Sequence, residues 1–202
     1  MKPLRIAILA LQGAFAEHQQ ILQKIGVDSF LVRNLADWTH EESDGLIIPG
    51  GESTAMLRIM NDEQLMVPVR NAIQQGLPVF GTCAGMILLA KEVDNETRER
   101  LATMDIRVHR NAYGRQMGSF YTEHDVNGIG TIPMTFIRAP YIEKTLQQSP
   151  SNTEPVEVLS ILDNHIIAAR QGNQLVCSFH PELNEDLRFH KYFISIVQQS
   201  KK

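Results

Sequence analysis

Residues 4–11 are apolar at every position except Arg5, the pattern of a strand buried on both faces of a parallel sheet. The run breaks at Gly13. Over residues 14–25, Phe15, Ile21, Leu22 and Ile25 recur at helical spacing among polar residues, and Gly26 supplies a stop. The alternation continues with short strands predicted over residues 29–32, 45–49 and 78–80. Between the last two, helical patterns run through Met56, Leu57, Ile59 and Met60 and then over residues 65–75. Short apolar strands separated by helices imply right-handed crossovers and helices on both faces of a sheet. The predicted class is α/β, a three-layer sandwich around a central, mostly parallel sheet.

The second half reads differently. Residues 105–109, 134–138, 156–161, 166–170 and 175–179 are five strand candidates with little helix between them, which suggests antiparallel additions. A last helix over residues 186–197 places Leu187, Tyr192, Phe193 and Ile196 on or near one face. Residues 147–155, rich in Ser, Pro, Asn and Gln, read as a surface loop. With no linker composition and no internal repeat, one domain over residues 1–202 is expected.

Composition narrows the partner class. The chain is 43% hydrophobic and 21% charged, which excludes a low-hydrophobicity disordered chain. Its net charge is −4 and no Lys/Arg block stands out, so neither a nucleic-acid nor an anionic-membrane surface is expected. Two cysteines are too few for a disulfide framework, and no apolar run approaches the roughly 18 residues of a membrane span. Residues 4–11 are short for a signal peptide and carry Arg5. A cytoplasmic location is the expectation.

Three short motifs carry chemistry. Gly81-Thr82-Cys83-Ala84-Gly85 lies where a buried strand should turn sharply into a helix, so the Cys83 sulfur faces the free N–H groups and positive end of that helix. A lone cysteine is more often a small buried hydrophobe, but the flanking glycines favour a nucleophile. Phe179-His180-Pro181-Glu182 follows the last predicted strand. In an extended segment, residues two apart face the same side, so Glu182 could hold the His180 imidazole toward Cys83. Alone, His-Pro-Glu reads as an ordinary turn; with the cysteine motif it supplies a base and its orienter. Pro49-Gly50-Gly51-Glu52-Ser53-Thr54 ends the third strand, with Ser53 or Thr54 able to cap the next helix. There the Gly51 N–H, with that of Ala84, could meet the oxyanion of a tetrahedral intermediate.

In the order glycine loop, cysteine, His-x-Glu, these motifs resemble those of class I (triad) glutamine amidotransferases, a flavodoxin-like fold. Further segments resemble one family among them, the glutaminase subunits of pyridoxal phosphate synthase. They are Ala10-Leu11-Gln12-Gly13-Ala14, Arg110-Asn111-Ala112-Tyr113-Gly114-Arg115-Gln116 and Phe136-Ile137-Arg138-Ala139-Pro140. The resemblance implies Cys83 as nucleophile, His180 as acid/base and Glu182 as its orienter, with Gly50, Gly51, Glu52, Arg110, Ile137 and Arg138 at glutamine-contacting positions. It also implies hydrolysis of L-glutamine to L-glutamate and ammonia through a cysteine thioester, and a heteromeric complex with a β/α-barrel synthase subunit that consumes the ammonia. Gln12 ends the first predicted strand, and Gly13 would let the peptide beside it reorient when such a partner binds. No cofactor and no metal site are expected, since zinc-like spacing and a phosphate loop with a Lys are both missing. A glutaminase of another pathway, such as that of histidine biosynthesis, would share the triad but not residues 110–116. A cysteine peptidase would not be expected to place its orienting Glu two residues after the His. A non-catalytic flavodoxin-like module with an inert Cys83 is the alternative from a different class.

Overall fold

The computed structural model describes residues 3–110, 118–148, 150 and 154–202. In chain order the first half contains β1 (Arg5–Leu9), α1 (Phe15–Ile25), β2 (Asp28–Val32), α2 (Leu35–His40), β3 (Gly45–Ile48), α3 (Ser53–Asp62), α4 (Met66–Gln74), β4 (Val79–Thr82), α5 (Ala84–Leu89) and β5 (Ala90–Val93). The second half contains β6 (Met104–His109), β7 (Ser119–Val126), β8 (Gly130–Ile137), β9 (Tyr141–Thr145), β10 (Glu157–Leu162), β11 (His165–Gln171), β12 (Gln174–Cys177) and α6 (Arg188–Ser200).

Among the described residues one sheet has the order β2-β1-β3-β4-β12-β11-β9-β6-β5, with β10 paired to β11. Strands β2, β1, β3, β4 and β12 are mutually parallel. Beyond β12 the pairings of β11, β10, β9 and β6 are antiparallel, as the second-half pattern suggested, and β5 closes the edge parallel to β6. Strands β7 and β8 form a separate hairpin.

Strand alternation sorts the core into two faces. Ile6, Ile8, Ile47, Phe80, Leu175 and Cys177 pack with Leu22 of α1 and with Phe189 and Phe193 of α6. Ala7, Leu9, Leu46, Ile48, Val79 and Val176 pack with residues of α3, α4 and α5 on the other side. The result is the predicted three-layer α/β sandwich. Among the described residues no helix is long and apolar enough to cross a membrane.

Some boundaries differ from the sequence pattern. The fourth strand runs on to Thr82 and the last one stops at Cys177, because the β4–β12 pairing ends there with Thr82 opposite Cys177. The last helix begins at Arg188, since Asp186 stays ahead of it and its carboxylate accepts from the Arg188 N–H at 2.9 Å.

Candidate functional site

Cys83 follows β4 directly, and its N–H donates to Cys177 O at 2.8 Å. The chain therefore leaves two adjacent parallel strands at their carboxyl ends, at Cys83 and, through Ser178 and Phe179, at His180. Cys83 sits at φ 49° and ψ −101°, strained for a non-glycine residue at a cost of about 1–3 kcal/mol, in the sharp strand-to-helix turn expected of it. The turn packs tightly against β3: a Cβ on Gly85 would overlap Ile48 O.

His180 and Glu182 meet, but not along an extended segment. Pro181 opens a 3₁₀ turn, Pro181–Leu183, because a fixed proline φ suits the first position of a helical turn. His180 keeps φ −108° and ψ 84°, and the turn brings Glu182 round to its ring. Nδ1 of His180 lies 2.6 Å from Glu182 Oε1, and the Glu182 side chain is fully buried. Burial opposes a charge on His180, but hydrogen bonds to Cys83 and Glu182 outweigh it and raise its pKa from 6.5 to about 10. An imidazolium beside a cysteine sulfur is the pairing a thiolate nucleophile needs. Cys177, by contrast, is fully buried in β12, its thiol donates to Phe179 O, and burial pushes its pKa well up.

A cavity of about 560 Å³ opens over Cys83 and His180 and is lined also by Gly51, Glu52, Arg110, Ile137 and Arg138. Gly50 is not on its lining; it packs against the Cε1–Nδ1 edge of the His180 ring. Ala84 is buried at the first position of α5, where a helix has no internal partner for its N–H. The cap of α3 is neither Ser53 nor Thr54. The helix starts at Ser53, so Glu52 is its N-cap, accepting from Thr54 N at 3.0 Å and Ala55 N at 2.7 Å. Slight burial opposes the charge, yet these two N–H donors hold the Glu52 carboxyl below its ordinary pKa.

Arg110 is held by Glu96, with Nη1 3.1 Å from Glu96 Oε2, and lies 3.7 Å from Glu52 Oε1. Glu96 in turn accepts from the Arg98 N–H at 3.0 Å. Arg138 has φ 44°, and its N–H donates to Gly118 O. The rest of the motif that begins at Arg110, residues 111–116, lies outside the described residues, as does part of the loop over residues 147–155.

The first β–α loop braces the glycine pair. Gln12 Oε1 accepts from Glu52 N at 2.6 Å, Ala14 N–H donates to Gly50 O at 3.0 Å, and Gly13 between them has φ 91°. Three further neighbours were not singled out by the sequence. Glu96 lies in a stretch without a motif. His18 and His190 are fully buried behind Glu182. Their signal was positional: Phe15, His18, Leu22 and Ile25 share a helical stripe, and so do His190, Phe193, Ile194 and Val197. A histidine on an apolar stripe reads equally as core. Among the described residues no group of three or more His, Cys, Asp or Glu side chains is placed to hold a metal ion.

Comparison with known proteins identifies the family. The model of one family, described as the SNO glutamine amidotransferase family, matches residues 8–199. The chain belongs to that family. Pyridoxal 5'-phosphate synthase subunit PdxT of Streptococcus pneumoniae is 54% identical over 198 residues, spanning 97% of this chain and 99% of that protein. A crystal structure described as a glutamine amidotransferase superposes with a TM-score of 0.86 at 39% identity, covering 96% of this chain and 98% of that one. Another glutamine amidotransferase, from Thermotoga maritima, shares the fold, with a TM-score of 0.60 at 12% identity over 100% of this chain and 86% of its own.

Proposed function

We propose that this member of the family is the glutaminase subunit of a pyridoxal phosphate synthase, one catalytic unit that hydrolyses L-glutamine and passes the ammonia to a β/α-barrel synthase subunit. The observation that carries the reading is His180, held by Glu182 at 2.6 Å, beside a cysteine in a strained elbow that lines the cavity. The relatives' name, a pyridoxal 5'-phosphate synthase subunit, supports the destination of the ammonia.

The geometry suits the reaction stepwise. The Cys83 thiolate attacks the side-chain amide carbon of glutamine, and the carbonyl oxygen becomes an oxyanion that the N–H groups of Gly51 and Ala84 receive. His180 gives its proton to the departing nitrogen, which leaves as ammonia, so a thioester remains. His180, now neutral, takes a proton from water, whose hydroxyl attacks the thioester; glutamate leaves and the thiolate with its imidazolium returns. Glu182 keeps the imidazole in one orientation throughout. Arg110 and Arg138 supply cations for the substrate carboxylate, and Glu52 an acceptor for its ammonium.

Glutamate formation from glutamine by the purified chain, alone and titrated with a barrel synthase subunit, tests the proposal. Turnover that rises with the partner and vanishes in Cys83→Ala is expected; no turnover in either state would refute it.

A further inference from the structure

Behind the triad lies a second pair of histidines that the chemistry above does not use. His18 Nδ1 is 2.9 Å from His190 Nε2, and His18 Nε2 is 3.2 Å from Thr82 Oγ1 and 3.6 Å from Glu182 Oε2. All of these side chains are buried, with the two imidazoles packed edge-on against the Phe80 ring. Among the described residues Glu182 Oε2 and His190 Nδ1 have no hydrogen-bond partner.

These distances fix where the protons sit. A buried ring nitrogen without a proton tolerates isolation better than a buried N–H does. His190 Nδ1, isolated, is therefore the bare nitrogen, and His190 Nε2–H donates to His18 Nδ1. That contact leaves His18 with its proton on Nε2, where it donates to Thr82 Oγ1 and turns its positive end toward the free oxygen of Glu182. Burial, with the nearby His190 and His180, lowers the His18 pKa well below 6.5, and burial lowers that of His190 to about 3, so both rings are neutral at pH 7.

We propose that His18 is a positioning residue for glutamine hydrolysis: its Nε2–H faces the outer oxygen of Glu182 and so fixes the carboxylate that orients His180, while His190 sets the His18 tautomer. The inference rests on the glutaminase reading for its kinetic part and on geometry and burial for its tautomer part. Without the Nε2–H, Glu182 keeps its single bond to His180 and can turn about it, so the imidazole loses its fixed direction in the step where its proton moves.

Two measurements on the full chain test this. In ¹⁵N-labelled protein at pH 7, long-range imidazole spectra should show His18 and His190 both neutral and both protonated on Nε2; a His18 protonated on Nδ1, or doubly protonated, overturns the proposal whatever the enzyme's activity. In the complex with the synthase subunit, His18→Leu should lower kcat for glutamine hydrolysis about 10- to 100-fold with KM nearly unchanged. His18→Gln, which keeps an N–H near the ε position, should recover most of that loss. Equal loss in the two variants, or none in His18→Leu, counts against positioning. If His18→Leu does not fold, the tautomers of the native chain still decide. An inactive native complex with the expected tautomers would fault the glutaminase reading and not the buried relay.

Discussion

Gly50 lies against the Cε1–Nδ1 edge of the His180 imidazole: a Cβ there would overlap His180 Cε1 and stand 2.9 Å from Nδ1 and 3.3 Å from Cys83 Cβ. The ring has little freedom to yield, because Glu182 holds its Nδ1 at 2.6 Å. Gly50→Ala is thus expected to lower kcat/KM about 100-fold or more, the scale of an ångström-sized misplacement, with an unchanged circular dichroism spectrum. A near-native kcat/KM would show that the ring has room.

The two cysteines should separate cleanly. Cys83→Ala should abolish glutamate formation, whereas Cys177→Ala, in the core of β12, should keep native kcat and lose about 1 kcal/mol of stability. Iodoacetamide followed by peptide mass spectrometry should label Cys83, which lines the cavity, and spare Cys177. Labelling of both at similar rates would contradict the assignment.

Within the triad an order is expected. His180→Asn should cost as much as losing Cys83, and Glu182→Gln, which keeps the side-chain shape, should retain about tenfold more kcat/KM. The reverse order in steady-state kinetics would reassign the roles.

Much of this was legible beforehand because the buried parallel strands are plain apolar runs and the cysteine turn is bracketed by glycines. What escaped notice lacked such a signal. Helix α2 contains no buried residue, so no apolar stripe marks it. Strand β9 ends in Glu143, Lys144 and Thr145, all exposed, and owes its form to pairing with β6. Strand β7 alternates between exposed and half-buried residues until Val126 and exists as one arm of a hairpin. The relation between His180 and Glu182 was right in outcome, yet the path was a 3₁₀ turn, since Pro181 acts on the residues after it as well as on the one before.

Stability should peak in mid-range pH. His190, with a folded pKa of about 3, and His18 bind fewer protons folded than unfolded below pH 6.5, so stability falls as pH drops through that window. The slope is about 1.4 kcal/mol per pH unit for each ring. His180 is the opposite case: its contribution is fully present below 6.5 and is lost as pH rises toward about 10. Denaturant unfolding between pH 5 and 6.5, above the ordinary carboxylate range, should therefore show a rising limb that flattens in His190→Leu. An unchanged slope in that variant would mean that His190 is protonated in the folded chain.

Glu96 is off the cavity lining and touches it through Arg110, which it holds at 3.1 Å. Glu96→Gln should raise KM for glutamine several-fold, the effect of loosening one charge-assisted contact, and leave kcat close to native. A fall in kcat at constant KM would place Glu96 in the chemistry instead.

Because β12 enters the sheet beside β4 from the far end of the chain, the elbow and its base come together only when the last strand docks. A nascent chain emerging from the ribosome carries its cysteine long before it carries His180 or Glu182. Under the proposed roles, fragments released early, or chains clipped after β11, hold a thiol without its proton partner and release no ammonia. The topology thus makes the docking of β12 a condition of activity.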